Sequence, residues 1–182
     1  PENQILGSGT ILDTARLRAR LAEYFSINLG NVHAYVYGEH GDSSFVPWSL
    51  GTIANIPIDK YRDYLIDANK NMIPELNHDE VETYIRKSGG KIIARKGATF
   101  YAVAVSVCHI CKCVFSGADT AMTVSSMMHG EYGIDDVCLS TLSLVGPDGL
   151  ASKVIAPLTE EETALLHKSA DSLKAVIAGI KL

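Results

Sequence analysis

With 182 residues, 47% of them apolar and 20% charged, the chain has the composition of a soluble globular protein and the length of one domain with one core. A formal net charge of −5 gives no general attraction to nucleic acid or to an anionic membrane surface. The longest apolar region, Phe100 to Phe115, is interrupted by His109 and Lys112, which excludes a bilayer span there.

The start, Pro1-Glu2-Asn3-Gln4, has neither the basic stretch nor the apolar segment of a secretory signal. Lacking an initial Met, it reads as the cut edge of a longer protein. Three of the four cysteines, Cys108, Cys111 and Cys113, crowd one apolar segment, with Cys138 apart, which is unlike a disulfide framework. Free thiols and no signal point to a reducing cytoplasm.

In chain order, Thr10-Ile11-Leu12-Asp13 has the form of a capping box and opens a helix running to Phe25. After a turn at Leu29-Gly30-Asn31, Val32, Ala34 and Val36 alternate with polar residues as in a strand. That strand runs into Gly38-Glu39-His40-Gly41-Asp42. Residues 58–72 and 77–95 read as helices, the second capped by Asn77. Gly89-Gly90 lies inside it and predicts a break, a kink or close packing. Thr99 to Val114 is apolar nearly all round, the pattern of a buried helix. Strands follow at 120–128 and 136–145. The turn Gly146-Pro147-Asp148-Gly149 returns 150–156 as a hairpin partner. Thr159 and Glu162 form a second capping box, opening a last helix with Leu166, Leu173 and Ile180 on one stripe. Helices, then strands, then a helix predict an α+β fold of mixed or antiparallel strands.

His40 stands between two glycines whose missing side chains leave room for a close approach, and its ordinary pKa suits proton transfer. It reads equally as a turn histidine bonded to its own loop. Asp13 and Arg16 share one helix face at i and i+3. An Arg fork grips a carboxylate through two parallel bonds, and a carboxylate fixes the tautomer of a histidine. The plain alternatives are a cap acid and a solvated charge. The Cys108–Cys113 cluster has one Cys-x2-Cys pair but lacks a distant second pair, so a buried helix is the better reading than a zinc site. Gly7-Ser8-Gly9 is not followed by the third glycine of a dinucleotide fingerprint, since position 12 is Leu.

Gly7-Ser-Gly-Thr-Ile-Leu-Asp-Thr-Ala-Arg-Leu-Arg18, Gly38-Glu-His-Gly-Asp-Ser43 and Lys96-Gly-Ala-Thr99 together resemble the L-lactate dehydrogenase family, within the lactate/malate dehydrogenase superfamily. The resemblance covers the whole chain. It implies a single substrate-binding and catalytic domain over 1–182, without the family's N-terminal NAD-binding Rossmann domain. By the resemblance, His40 is the acid/base and Asp13 its paired carboxylate. Arg16 clamps the substrate carboxylate, and Thr99 lies near the substrate side chain. Ser8 and Val103 lie near the nicotinamide of NAD. Arg18 and His33 match positions that bind fructose 1,6-bisphosphate in bacterial relatives. The implied reaction is pyruvate plus NADH to L-lactate, in a dimer or tetramer, and the chain alone is expected to be inactive. Malate or branched 2-hydroxyacid dehydrogenase is the alternative within the superfamily. A non-catalytic binding or assembly module is the alternative of another class.

Overall fold

The computed structural model describes residues 1–66 and 73–180. Helix α1, Ile11–Tyr24, buries Leu17 and Leu21 completely. Thr10 stands at its N-cap position, but its hydroxyl bonds no helix N–H. The capping box predicted for Thr10 and Asp13 is therefore not formed. Thr10 is fully buried and its Oγ1 donates to the Val36 carbonyl at 2.5 Å, which frees Asp13 for other partners.

The alternating segment 32–37 buries Val32, Ala34 and Val36 as predicted, but Tyr37, on the face expected to be open, is fully buried too, and the segment forms little ladder. Strand β1 is Val32–His33, paired antiparallel with β2, Thr52–Ile53, which pairs in turn with β3, Ile56–Pro57. Beyond His33 the backbone is bonded by side chains of α1. Val36 N–H donates to Thr14 Oγ1 at 2.9 Å, and the Ala34 carbonyl accepts from Arg18 Nε at 2.9 Å. With Thr10 on Val36, three residues spaced four apart, one at the N-cap position and two on α1, do the work of a neighbouring strand.

Helix α2 is short, Ile58–Tyr61, and a single 3₁₀ turn at Arg62–Tyr64 follows it. The predicted helix over 58–72 thus ends early, and its stretch 67–72 lies outside the described residues. Helix α3, His78–Lys96, is capped by Asn77, whose side chain accepts from Glu80 N–H at 3.1 Å, and it ends at Gly97. Contrary to expectation, α3 runs unbroken through Gly89-Gly90, and no atom lies within 4 Å of a Cβ built at either. Burial of Val81 and Ile85 anchors the helix, and the modest propensity loss of two glycines does not break it.

Helix α4, Tyr101–Val114, is not the buried helix predicted. Tyr101 and Val105 are each 69% exposed, and Cys108 and Cys111 are exposed as well. Cys113 is buried, with Ile110 and Val114 packed beside it against Ile11, Met122 and Val124. A helix at the edge of this chain has one face to bury, whatever its composition.

The second sheet has the order β4-β5-β6, all antiparallel, with β4 Thr120–His129, β5 Asp135–Gly146 and β6 Gly149–Lys153. The predicted turn at 146–149 joins β5 to β6. Helix α5, Glu160–Ala178, forms the predicted capping box in both directions and buries Leu166. Ile180 falls past its end and is 58% exposed. In place of one core, the buried apolar residues form three clusters among the described residues. Buried hydroxyls lie where α1 meets β4 and β5: Thr14 bonds Thr123 at 2.9 Å, and Ser140 Oγ accepts from Thr10 N–H at 3.1 Å. Among the described residues no helix is long and apolar enough to cross a membrane.

Candidate active site

Two segments meet at the first turn of α1. The first is Gly7-Ser8-Gly9, which pairs with β4 through Gly7 and Ser125. Gly9 has φ +49°, and a Cβ there would lie 2.2 Å from Ser140 Oγ and 2.7 Å from Ser125 N. Only glycine fits so close to the sheet. The second is the loop after residue 37. Gly38 bridges to Ser140 of β5, at φ +93°, and a Cβ there would stand 2.6 Å from Ser169 Oγ of α5. Glu39 N–H donates to Ser169 Oγ at 2.8 Å, and Ser43 Oγ donates to Glu39 Oε1 at 2.6 Å. The sheet and α5 thereby fix the loop that carries His40.

His40 Nδ1 lies 2.5 Å from Asp13 Oδ2. A carboxylate only accepts, so Nδ1 carries the proton and Nε2 is the ring's reactive nitrogen. The Asp13 side chain is 6% exposed, whereas that of His40 is 59% exposed. Asp13 Oδ1 accepts from Arg16 Nη1 at 3.1 Å. The hydrogen bond that His40 donates to Asp13 raises the His40 pKa above the ordinary value. Burial opposes it, the Asp13 charge adds to it, and Arg16 works against it. A guanidinium has five donors, so its bond to Asp13 leaves capacity for a ligand carboxylate.

His40 borders two cavities. One, of about 240 Å³, is lined by Asp13, Arg16, His40, Arg86, Gly89, Gly90, Ile93 and Thr99, among others. The other, of about 480 Å³, is lined by Gly7, Ser8, Gly9, Glu39, Asp136 and Leu173, among others. Asp13, Arg16, His40 and Thr99 are thus gathered at one cavity, and Ser8 lies at the second, across the histidine. Val103 lines neither and is 37% exposed on α4. Arg18 lines a third cavity, of about 360 Å³, beside Tyr35 and His109. Its guanidinium stands over the Tyr35 ring at 4.8 Å, while His33 is exposed on β1 and outside that lining. The structure does not gather Arg18 and His33 at one cavity.

Sequence reasoning missed three contributors: Ser169, which holds the Gly38–Glu39 backbone; Glu39, which ties Ser43; and Arg86. Arg86 Nη1 donates to the Ser44 carbonyl at 2.7 Å and to Glu82 Oε2 at 3.0 Å, joining α3 to the His40 loop. The i,i+4 pair Glu82–Arg86 was visible in the sequence, but its tertiary contact was not. The wider cavity has no Lys or Arg in its lining, and two acids, Glu39 and Asp136. Its chemistry fits a flat, uncharged or cationic ring such as nicotinamide and not a pyrophosphate.

Residues 10–181 match the family model of the lactate/malate dehydrogenase alpha/beta C-terminal domain. L-lactate dehydrogenase of Acetivibrio thermocellus is 40% identical over 177 residues, covering 97% of this chain and 55% of that protein. L-lactate dehydrogenase 2 of Clostridium acetobutylicum is 40% identical over 180 residues, covering 99% of this chain and 55% of that protein. The solved structure of an L-lactate dehydrogenase from Clostridium thermocellum superposes with a TM-score of 0.88 at 34% identity, over 100% of this chain and 58% of that one. The chain spans a little over half the length of these relatives.

Proposed function

This chain belongs to the lactate/malate dehydrogenase family, and we propose that it is the substrate-binding and proton-transfer half of an NAD-dependent L-2-hydroxyacid dehydrogenase of the lactate type. The observation that carries this reading is the His40–Asp13 pair at 2.5 Å with Arg16 beside it at a common cavity. NAD supplies or accepts the hydride when bound.

The chain's own residues do the rest. Arg16 binds the substrate carboxylate and so sets which face of the 2-oxo group is presented. His40, protonated, donates from Nε2 to the 2-oxo oxygen as pyruvate is reduced, and takes that proton back from the hydroxyl of L-lactate. Asp13 holds the ring in the required tautomer and offsets the charge of the imidazolium. Thr99 borders the space for the remaining substituent. Ser8 and the glycines beside it wall the nicotinamide side, with Val103 further out on α4. Homo-oligomer formation, through apolar surface such as that of α4, belongs to the same proposal.

The test uses the dehydrogenase in which this chain is joined to a dinucleotide-binding half. His40→Asn lowers kcat/KM for pyruvate by roughly 10²–10⁴-fold. The chain by itself oxidises no NADH. Full pyruvate turnover in His40→Asn would sink the assignment.

A further inference from the structure

The loop that carries His40 leaves and re-enters the fold at one place. Tyr37 and Phe45 pair there as an antiparallel bridge, with bonds of 2.9 and 3.1 Å. Ser169 of α5 holds the loop at Glu39 and Ser43. The chain that follows, Ser44 to Trp48, is held from a different element, α3. Arg86 Nη1 donates to the Ser44 carbonyl at 2.7 Å. Ser44 in turn reaches back to the histidine's neighbour. Its Oγ and its N–H both donate to the Gly41 carbonyl, at 2.9 and 3.3 Å. Helix α3 thus reaches the residue next to His40 through Ser44.

Glu82, one turn before Arg86, gathers the other donors. Its Oε2 accepts from Arg86 Nη1 at 3.0 Å, and its Oε1 accepts from Trp48 Nε1 at 2.9 Å and from Val46 N–H at 3.4 Å. The Glu82 side chain is 17% exposed and that of Arg86 29%, so this is not a freely solvated surface pair. The seam it shares with Val36, Phe45 and Ile85 leaves about 10 Å³ of free space, no more than one water needs. Displacement of these side chains is therefore passed to the backbone instead of being absorbed by solvent. Arg86 borders the cavity of Arg16 and His40, yet its charge is met by Glu82 and its Nη1 by a carbonyl.

We propose that Arg86 and Glu82 are positioning residues for His40. Glu82 fixes the Arg86 guanidinium, and Arg86 fixes, through Ser44 and Gly41, the backbone that follows the histidine. This rests on the dehydrogenase reading above. Neither residue handles the transferred proton. They keep His40 Nδ1 on Asp13 and Nε2 aimed into the cavity. Such a role has a kinetic signature: carboxylate binding by Arg16 is spared, and proton transfer is slowed.

The test uses the same two-domain dehydrogenase with pyruvate. Arg86→Met keeps the length of the side chain and removes both bonds. It lowers kcat by roughly 10–10²-fold, as a misplacement of about 1 Å does, while KM stays at the parent value. The His40 titration, followed by NMR, moves down toward its ordinary value, because the bond to Asp13 loosens while the nearby charges of Arg16 and Glu39 remain. Arg86→Lys keeps a donor for Ser44 and a charge for Glu82, and restores most of kcat. Glu82→Gln keeps an oxygen for Trp48 but turns an amide NH₂ toward Arg86, so kcat falls here too. That variant carries the test if thermal unfolding finds Arg86→Met unfolded. An unchanged kcat in a folded variant, a loss confined to KM, or an unmoved His40 titration overturns the proposal and leaves the dehydrogenase reading standing. No turnover of pyruvate by the unaltered enzyme overturns both.

Discussion

Filling α3 with alanine separates the helix from the substrate cavity by a measurement that needs no substrate. At each of Gly89 and Gly90 the backbone is helical and the space around a Cβ is open to 4 Å, so alanine meets no clash and no strain. Both lie well inside a helix running from His78 to Lys96, away from its cap at Asn77 and its stop at Gly97. Under those conditions alanine gains roughly 0.5–1 kcal/mol over glycine, part of it from the unfolded chain. Adjacent helical residues do not face each other, so the double variant gains about 1–2 kcal/mol. For a chain of this size, about 2–4 °C per kcal/mol puts the rise in Tm at roughly 2–8 °C. Urea unfolding followed by circular dichroism gives the same gain as a shift in midpoint at constant slope. A fall in Tm for either single variant would refute the reasoning, because it would mean that α3 needs its glycines for backbone or packing.

Asp13→Asn removes the main cause of the raised His40 pKa, so the histidine titration followed by NMR moves to lower pH; an unchanged titration would show that the pair is not coupled. The sign for stability follows from the direction. A histidine raised in the folded state contributes fully below its unfolded value and loses that contribution as pH climbs through the folded one. The urea-midpoint difference between the parent and Asp13→Asn therefore narrows as pH rises through that window. Gly9→Ala acts on the anchor: with φ at +49° and Ser140 Oγ 2.2 Å from the new Cβ, it costs about 1–3 kcal/mol or more, read as a lowered urea midpoint.

Elements whose stability is local were legible in the sequence. Thr159 with Glu162 caps α5 as predicted, Asn77 caps α3, and the 146–149 turn returns the hairpin, because each signal involves neighbours within four residues. Readings that depended on what lies across the fold went astray. Thr10 carries the sequence pattern of a cap, yet burial against the segment before His40 gives its hydroxyl a better partner in Val36. The apolar pattern of α4 promised burial, but composition records what a helix can bury and not which surface comes to cover it. Alternation was right about the burial of Val32, Ala34 and Val36, missed that of Tyr37, and was silent about pairing, since α1 side chains satisfy groups that a neighbouring strand would otherwise bond.

The candidate site shows why the two kinds of signal diverge. The sequence suggested Asp13, Arg16 and His40 separately, and each had a plain alternative. What excludes those alternatives is distance: the acid does not cap the helix, and the histidine's ring bond goes to Asp13 instead of to its own loop. That contact spans 27 positions and depends on the bonds of Thr10 and Thr14 to Val36, and on the hold that Ser140 and Ser169 keep on residues 38 and 39. All these supports are small hydroxyl or glycine residues, whose identity carries little chemical signal in a sequence. They fix the backbone leading into His40 while its side chain stays 59% exposed. A reacting group must combine a fixed position with an open face, and here much of the fixing falls to Thr10, Thr14 and Ser169, which line neither cavity beside His40.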